Sequence, residues 1–195
     1  MAGRRAETTR ESRMLLLNAA TALFTEKGYQ QTTFADVAER SGISRGSIPW
    51  HFGSKEGLLG AVLDHAAEIL LEESAGEGST VATLVDGARR AAPLRTSLLF
   101  VTLYVEAVKP DSPIHDRYAA LHDRLRESVK QWIERSSVRL PEAITSDDLA
   151  VLLVGAGIGI HLQWAMAPEK INMNRAFDKL GELFDTMLRS ATAAG

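Results

Sequence analysis

Apolar residues recur three and four positions apart along nearly the whole chain, and no segment alternates apolar and polar residues for the length of a strand. A chain patterned this way folds as helices packed on helices, so the expected class is all-α. Leu16, Ala19, Ala20, Leu23 and Phe24 share one face of a first helix over 10–27, which Gly28 stops. Thr33, with Asp36 three residues on, has the spacing of a capping box for a second helix over 34–41, broken by Gly42. Ser44 is placed to cap a short third helix reaching His51 or Phe52. Ser54 is placed to cap a fourth, whose wide apolar stripe is Leu58, Leu59, Val62, Leu63, Ala66, Ile69 and Leu70. A glycine-bearing loop over 73–79 leads to further helices expected at 80–92, 93–109, 114–138, 147–167 and 175–191. Pro93, Pro110, Pro113, Pro141 and Pro168 fall at their junctions, where proline disturbs a helix least.

Composition narrows the function classes. The 195 residues are 45% hydrophobic and 24% charged, which suits a globular chain with a real core rather than a disordered one. With no cysteine there is no disulfide scaffold, thiol nucleophile or cysteine-ligated metal, and a cytoplasmic location is expected. The stretch after Arg4 and Arg5 is polar where an export signal would need an apolar run. Leu149 to Ala167 approaches membrane length, yet a buried helix, not a membrane association, is the expected reading. Net charge is −3, but residues 1–57 carry eight Lys/Arg against six Asp/Glu, or +2, which leaves 14 against 19, or −5, for the rest. A basic head on an acidic body points to an acidic partner for the head.

The second and third helices, joined through Gly42, have the helix-turn-helix pattern. Ala38 is small where the helices cross, and Val37, Ile43 and Ile48 are placed to fill the wedge between them. The third helix then presents Arg45, Ser47, Trp50 and His51 outward. Because a recognition helix reads base edges from its N-terminal end, Arg45 and Ser47 are the expected base readers. Thr33 at one helix start, and Ser54 with Lys55 at another, put hydroxyls, an ammonium and free amides where phosphate oxygens would lie. Arg4, Arg5 and Arg10 are placed to add a mobile arm.

The run Gly28-Tyr29, Thr32-Thr33, Val37-Ala38, Ser41 to Ile48, His51-Phe52 and Lys55-Glu56-Gly57-Leu58 resembles the TetR family of one-component transcriptional regulators, over about residues 10 to 60. Gly155 to Trp164 followed by Ala167-Pro168-Glu169 is a looser match. The resemblance implies a homodimer whose N-terminal heads bind a palindromic operator and whose larger C-terminal domain takes a small molecule that releases DNA. It implies phosphate contacts at Thr33, Ser44, His51 and Lys55, and base-facing positions at Arg45, Ser47 and Trp50. Pro49 departs from it, standing where the family usually has an aromatic. One turn into a helix capped by Ser44, Pro49 requires a tightened 3₁₀-like turn or a kink that frees the Arg45 carbonyl, unless the helix starts later.

Other chemistries fare worse. Gly42-Ile43-Ser44-Arg45-Gly46 matches a nucleophile elbow in letters, but a helix precedes Ser44 where the elbow needs a strand. His115 and His122, beside Asp116 and Asp123, lack the spacing and third ligand of a metal site, so no metal, cofactor or catalytic residue is expected. The helix over 98–108 is apolar on nearly all sides and reads as buried, so Thr102, Tyr104 and Glu106 need partners. Phe100, Tyr104, Tyr118, Trp132, His161 and Trp164 form the candidate pocket for an apolar or aromatic effector. Gly155, Gly157 and Gly159 weaken a helix by roughly 1 kcal/mol each unless close packing compensates. With Leu180, Leu183, Phe184, Met187 and Leu188 they suggest a four-helix dimer interface. The expected organisation is a three-helix DNA-binding domain over 1–57 fused to a larger helical ligand-binding and dimerisation domain over 58–195. The competing reading is a helical small-molecule binding protein or enzyme with a vestigial head.

Overall fold

A computed structural model describes the backbone of residues 2–74, 80–91 and 94–193. Among these residues the secondary structure is helical: α1 (Ala2–Gln31), α2 (Phe34–Ser41), α3 (Ser47–Phe52), α4 (Lys55–Ser74), α5 (Val81–Ala91), α6 (Leu94–Ala107), α7 (His115–Arg135), α8 (Ser146–Met166) and α9 (Met173–Ala193). The helix breaks at Gly28, where φ 79° and ψ 168° turn the chain through a conformation that suits a residue without Cβ. Residues expected to form an arm, 4 to 10, have the backbone of the first turns of α1. Of the loop expected over 73–79, Glu73 and Ser74 belong to the last turn of α4, and 75–79, like Pro93, lie outside the described residues.

The chain divides into two compact units, and α4, α6 and α7 each contribute to both. The first contains residues up to Ala66 together with Leu98–Ala119. Its core is built by Leu16, Leu17, Ala20 and Phe24 of α1, Val37 of α2, Ile48 of α3, Leu58, Leu59 and Val62 of α4, and Leu99 and Leu103 of α6, all buried. At about 1.5–3 kcal/mol for each large aliphatic or aromatic side chain, this burial holds the short helices α2 and α3, which are too brief to persist alone. The α6 segment is not buried all round: Val105 is 65% exposed. Two of its polar side chains find partners, with the Thr102 hydroxyl donating to the Thr25 carbonyl at 3.4 Å and Glu106 accepting from Gln30 at 2.8 Å.

The second unit comprises Ala67–Ser97 and the chain from Ala120 onward. Val81, Leu84 and Val85 of α5, Trp132 and Ile133 of α7, Leu149 and Leu153 of α8, and Phe177 and Leu188 of α9 make its core. Helices α5 and α9 touch through Gly181, where a Cβ would stand 2.6 Å from the Ala82 Cα. The Asp185 carboxylate of α9 then accepts the Val81 and Ala82 amides at 2.8 and 3.3 Å, capping α5 from a distant part of the chain. Thr145 and Asp148 form a capping box for α8. Of the α9 residues expected at a dimer face, Leu188 is buried in this core and Leu180 and Phe184 pack against it. Leu183 and Met187 are exposed.

Candidate nucleic-acid interface

Helix α2 starts from Thr33, whose hydroxyl accepts the Asp36 amide at 3.2 Å while the Asp36 carboxylate accepts the Thr33 amide at 2.7 Å. The Thr33 hydroxyl also donates to that carboxylate at 2.8 Å, so its proton is engaged locally. Lys27 Nζ lies 2.7 Å from the same carboxylate. The Lys27 hydrogen bond, followed by those from Thr33, holds the Asp36 carboxyl down at about 2. Arg40 pins α2 to α1 with two parallel bonds to Glu26, at 2.9 and 2.8 Å. Helix α2 ends at Gly42, φ 72°, whose amide donates to the Ala38 carbonyl. Val37 and Ile48 are fully buried in the wedge between α2 and α3, and Ile43 is half-buried.

The third helix begins later than a Ser44 cap predicts. The Ser47 amide donates to the Ser44 carbonyl at 3.0 Å and the Ile48 amide to the Arg45 carbonyl at 3.3 Å, the three-residue spacing of a 3₁₀-type turn. Helix α3 proper starts at Ser47, with Gly46 at the cap position and no side-chain cap. Pro49 therefore falls in the first turn, where its missing amide leaves no helical acceptor unsatisfied. The tightened turn is present, but the Arg45 carbonyl is taken by Ile48 instead of being left to water. The Ser44 hydroxyl, freed from capping, lies 2.8 Å from that of Ser47.

On the outer face, Ser44 and Arg45 are exposed, Ser47 is half-buried, and Trp50 is 71% exposed. The Trp50 ring stands edge-on to His51 at 4.5 Å. His51 is lowered below its ordinary value by burial and by the Arg13 charge. Arg13 stacks its guanidinium over Phe52, 5.4 Å from the ring centroid, which places a cation of α1 beside the recognition helix. Sequence reasoning named Arg10 and passed over Arg13. The only available signal was that Arg13 lies off the apolar face of α1.

The start of α4 completes the surface. Ser54 accepts the Gly57 amide at 3.0 Å, and Gly57 sits so close to α3 that a Cβ would lie 2.0 Å from the Phe52 carbonyl oxygen. Lys55 turns toward the end of α1: its Nζ lies 4.4 Å over the Tyr29 ring and donates to the Gln30 carbonyl at 3.1 Å. Tyr29 is buried and its hydroxyl hydrogen-bonds Glu56. Burial first, then the Glu56 charge, pushes that hydroxyl up to about 12.

The candidate effector residues divide between the units. In the first, the Tyr118 hydroxyl donates to the Phe100 carbonyl at 2.7 Å, and the Tyr104 and Tyr118 rings meet edge to face at 6.3 Å. In the second, Trp132 belongs to the core, and His161 donates from Nδ1 to the Gly157 carbonyl at 2.8 Å with its ring 5.1 Å from Phe177. Trp164 is half-buried in the same unit. His115 donates from Nδ1 to the Ala107 carbonyl, and His122 is half-buried. Among the described residues no three His, Asp or Glu side chains cluster as metal ligands.

A helical chain that mounts a helix-turn-helix on its N-terminal helix, with a polar and basic outer surface, has the architecture of a DNA-binding regulator. Residues 16–62 match the pattern of the bacterial regulatory proteins of the tetR family. Over 68 residues the chain is 41% identical to the HTH-type transcriptional regulator TtgR of Pseudomonas putida, a stretch covering 35% of this chain and 32% of that one. It is 23% identical over 194 residues to the HTH-type transcriptional regulator AcrR of Shigella flexneri, covering 90% and 88%. The crystal structure of a TetR transcriptional regulator from Chloroflexus aurantiacus J-10-FL superposes with a TM-score of 0.72 at 26% identity, over 90% of this chain and 95% of that one. The chain is thus similar to TetR-family transcriptional regulators, and its helix-turn-helix head, residues 16–62, is the part that matches the family's pattern.

Proposed function

We propose that the protein is a ligand-responsive transcriptional repressor of the cytoplasm, which binds a palindromic operator as a homodimer and is released by a small apolar or aromatic molecule. Residues 1–57 are assigned DNA binding and residues 58–195 ligand binding and dimerisation. The observation that carries this reading is Arg45. It is exposed at the N-terminal end of a recognition helix held rigidly by the buried Val37–Ile48 wedge, and it makes no ion pair among the described residues. Nearby cations Lys27 and Arg40 are neutralised by Asp36 and Glu26, which leaves Arg45 the side chain suited to a guanine edge. Ser47 reads beside it, and Trp50 faces the same groove. Ser44, His51, Lys55 and the Thr33 turn lie along the phosphates.

The effector contacts are assigned to Phe100, Tyr104, Tyr118, Trp132, His161 and Trp164, aromatic groups with few polar handles. The effector acts by favouring a dimer whose heads no longer match successive major grooves. The test is selection of bound duplexes from a random pool, followed by Arg45→Ala. That variant is expected to lose roughly 1–3 kcal/mol and relax preference at one base position. Equal loss on every sequence would remove Arg45 as a reader, and a protein that selects no duplex would favour a helical binding protein or enzyme with a vestigial head. Once an effector is in hand, calorimetry must show operator and effector weakening each other by the same factor.

A further inference from the structure

Lys55 is the α4 cation assigned above to a DNA phosphate, yet its ammonium faces inward. It lies over the Tyr29 ring at 4.4 Å and donates to the Gln30 carbonyl at 3.1 Å. The carbonyl that receives it belongs to a residue whose side chain is itself held: the Gln30 amide donates to Glu106 of α6 at 2.8 Å. Glu106 thus fixes Gln30 and adds a negative charge that attracts Lys55, as do the Glu56 and Asp36 carboxylates. The Glu56 carboxylate is engaged by the Tyr29 hydroxyl, and Asp36 by Lys27 and Thr33. Glu106 is the member of this group contributed by α6, and all of these residues lie in the first compact unit.

A lysine bonded to a carbonyl and resting on a ring has to leave both before it can serve a phosphate oxygen outside. The free energy that holds it inward is subtracted from operator affinity. We propose that Glu106 is a positioning residue of the DNA-binding head, which holds Gln30 and Lys55 inward and so weakens operator binding from α6. The inference rests on the reading of Lys55 as a phosphate contact. It adds that a carboxylate outside the helix-turn-helix sets how readily that contact forms.

The test is a double-variant cycle on a duplex selected by the parent protein, with affinity followed as salt is raised. Glu106→Gln keeps an oxygen for the Gln30 amide and removes the charge. It is expected to tighten operator binding about two- to five-fold, the range of a partly exposed ion pair. Lys55→Met is expected to lower the slope of log affinity against log salt by about 0.9, one phosphate contact, with or without the Glu106 change. In the Lys55→Met background Glu106→Gln is expected to have no effect on affinity. A gain that persists without Lys55 would show that Glu106 merely repels DNA through space and would overturn the proposal, as would no gain in the parent background. Glu106→Ala repeats the comparison without the hydrogen bond and is expected to match or exceed the gain from Glu106→Gln; a smaller gain overturns the proposal. A parent that selects no duplex overturns the DNA-binding reading and this inference together, whereas a parent that binds DNA with no coupling between positions 55 and 106 overturns this inference alone.

Discussion

Pro49 sits at the third position of α3, where a helix makes no use of an amide, and the carbonyl its ring would crowd in a longer helix belongs instead to a 3₁₀-type turn. Pro49→Ala is therefore expected to change stability by less than about 1 kcal/mol, mainly through the unfolded chain. Urea denaturation showing a gain of about 3 kcal/mol would mean that the ring strains a helix interior after all. His51 raises a pH question at the same scale. Burial and then Arg13 lower its pKa in the free protein, so the neutral ring contributes stability above the ordinary value of 6.5 that declines as pH falls through 6.5 toward the lowered value. A phosphate beside the ring acts in the opposite direction, favouring the proton. Operator binding is then expected to take up a proton and to strengthen as pH falls below 6.5, and His51→Gln is expected to flatten that dependence. An unchanged pH profile in His51→Gln would remove the residue from the phosphate contacts.

At the scale of elements, the angle between recognition helix and scaffold depends on backbone contacts that side chains would destroy. Gly57 lies within the first turn of α4, against the last turn of α3. A methyl group there meets a backbone oxygen, which cannot rotate away as a side chain would. Gly57→Ala is expected to cost about 1–3 kcal/mol in thermal or chemical unfolding. It should also lower operator affinity by tilting α3, even under conditions where the protein remains folded. Wild-type stability in that variant would show that α3 and α4 slide freely. The α2 cap makes a second prediction. Asp36 is held at about 2 by Lys27 and Thr33 against an ordinary 3.8, so its contribution is present above 3.8 and lost as pH falls toward 2. Asp36→Asn should lower thermal stability at neutral pH and remove this part of the acid sensitivity. Parallel acid titrations in the two proteins would refute the linkage.

For the whole molecule, the notable surface is in the second unit. Val151, Leu152 and Met166 of α8 and Leu183 and Met187 of α9 are exposed, and a Cβ at Gly155 or Gly159 would have nothing within 4 Å. Helix α8 is long and apolar enough to cross a membrane, with mean hydropathy 1.7, while Leu149, Ala150 and Leu153 tie it to the core. The proposed cover for the remaining face is a second copy of the chain, packing α8 and α9 as a four-helix interface. Because Gly155 is unobstructed within one chain, Gly155→Leu is expected to give a folded protein that sediments as a monomer and loses operator affinity. A dimer of unchanged stability would place the interface elsewhere.

Helix class, the helix-turn-helix and its local punctuation were set by the sequence itself. The Thr33–Asp36 box, the left-handed Gly42 and the break at Gly28 depend on residues within a turn of one another, so periodicity and capping chemistry suffice to find them. The start of α3 escaped that reasoning because Ser44 had two local uses for its hydroxyl, and the pairing with Ser47 was realised instead of a cap. Which face of α9 is core was equally hidden. Leu180, Phe184 and Leu188 face the core while Leu183 and Met187 are exposed, and the approach of Gly181 to Ala82 helps to fix that choice. Only tertiary structure brought Arg13 to Phe52, Lys55 to Gln30 and Glu106 to the same residue. Such pairings join elements far apart in the chain, where no periodicity carries information and the packing of buried faces decides which polar groups meet.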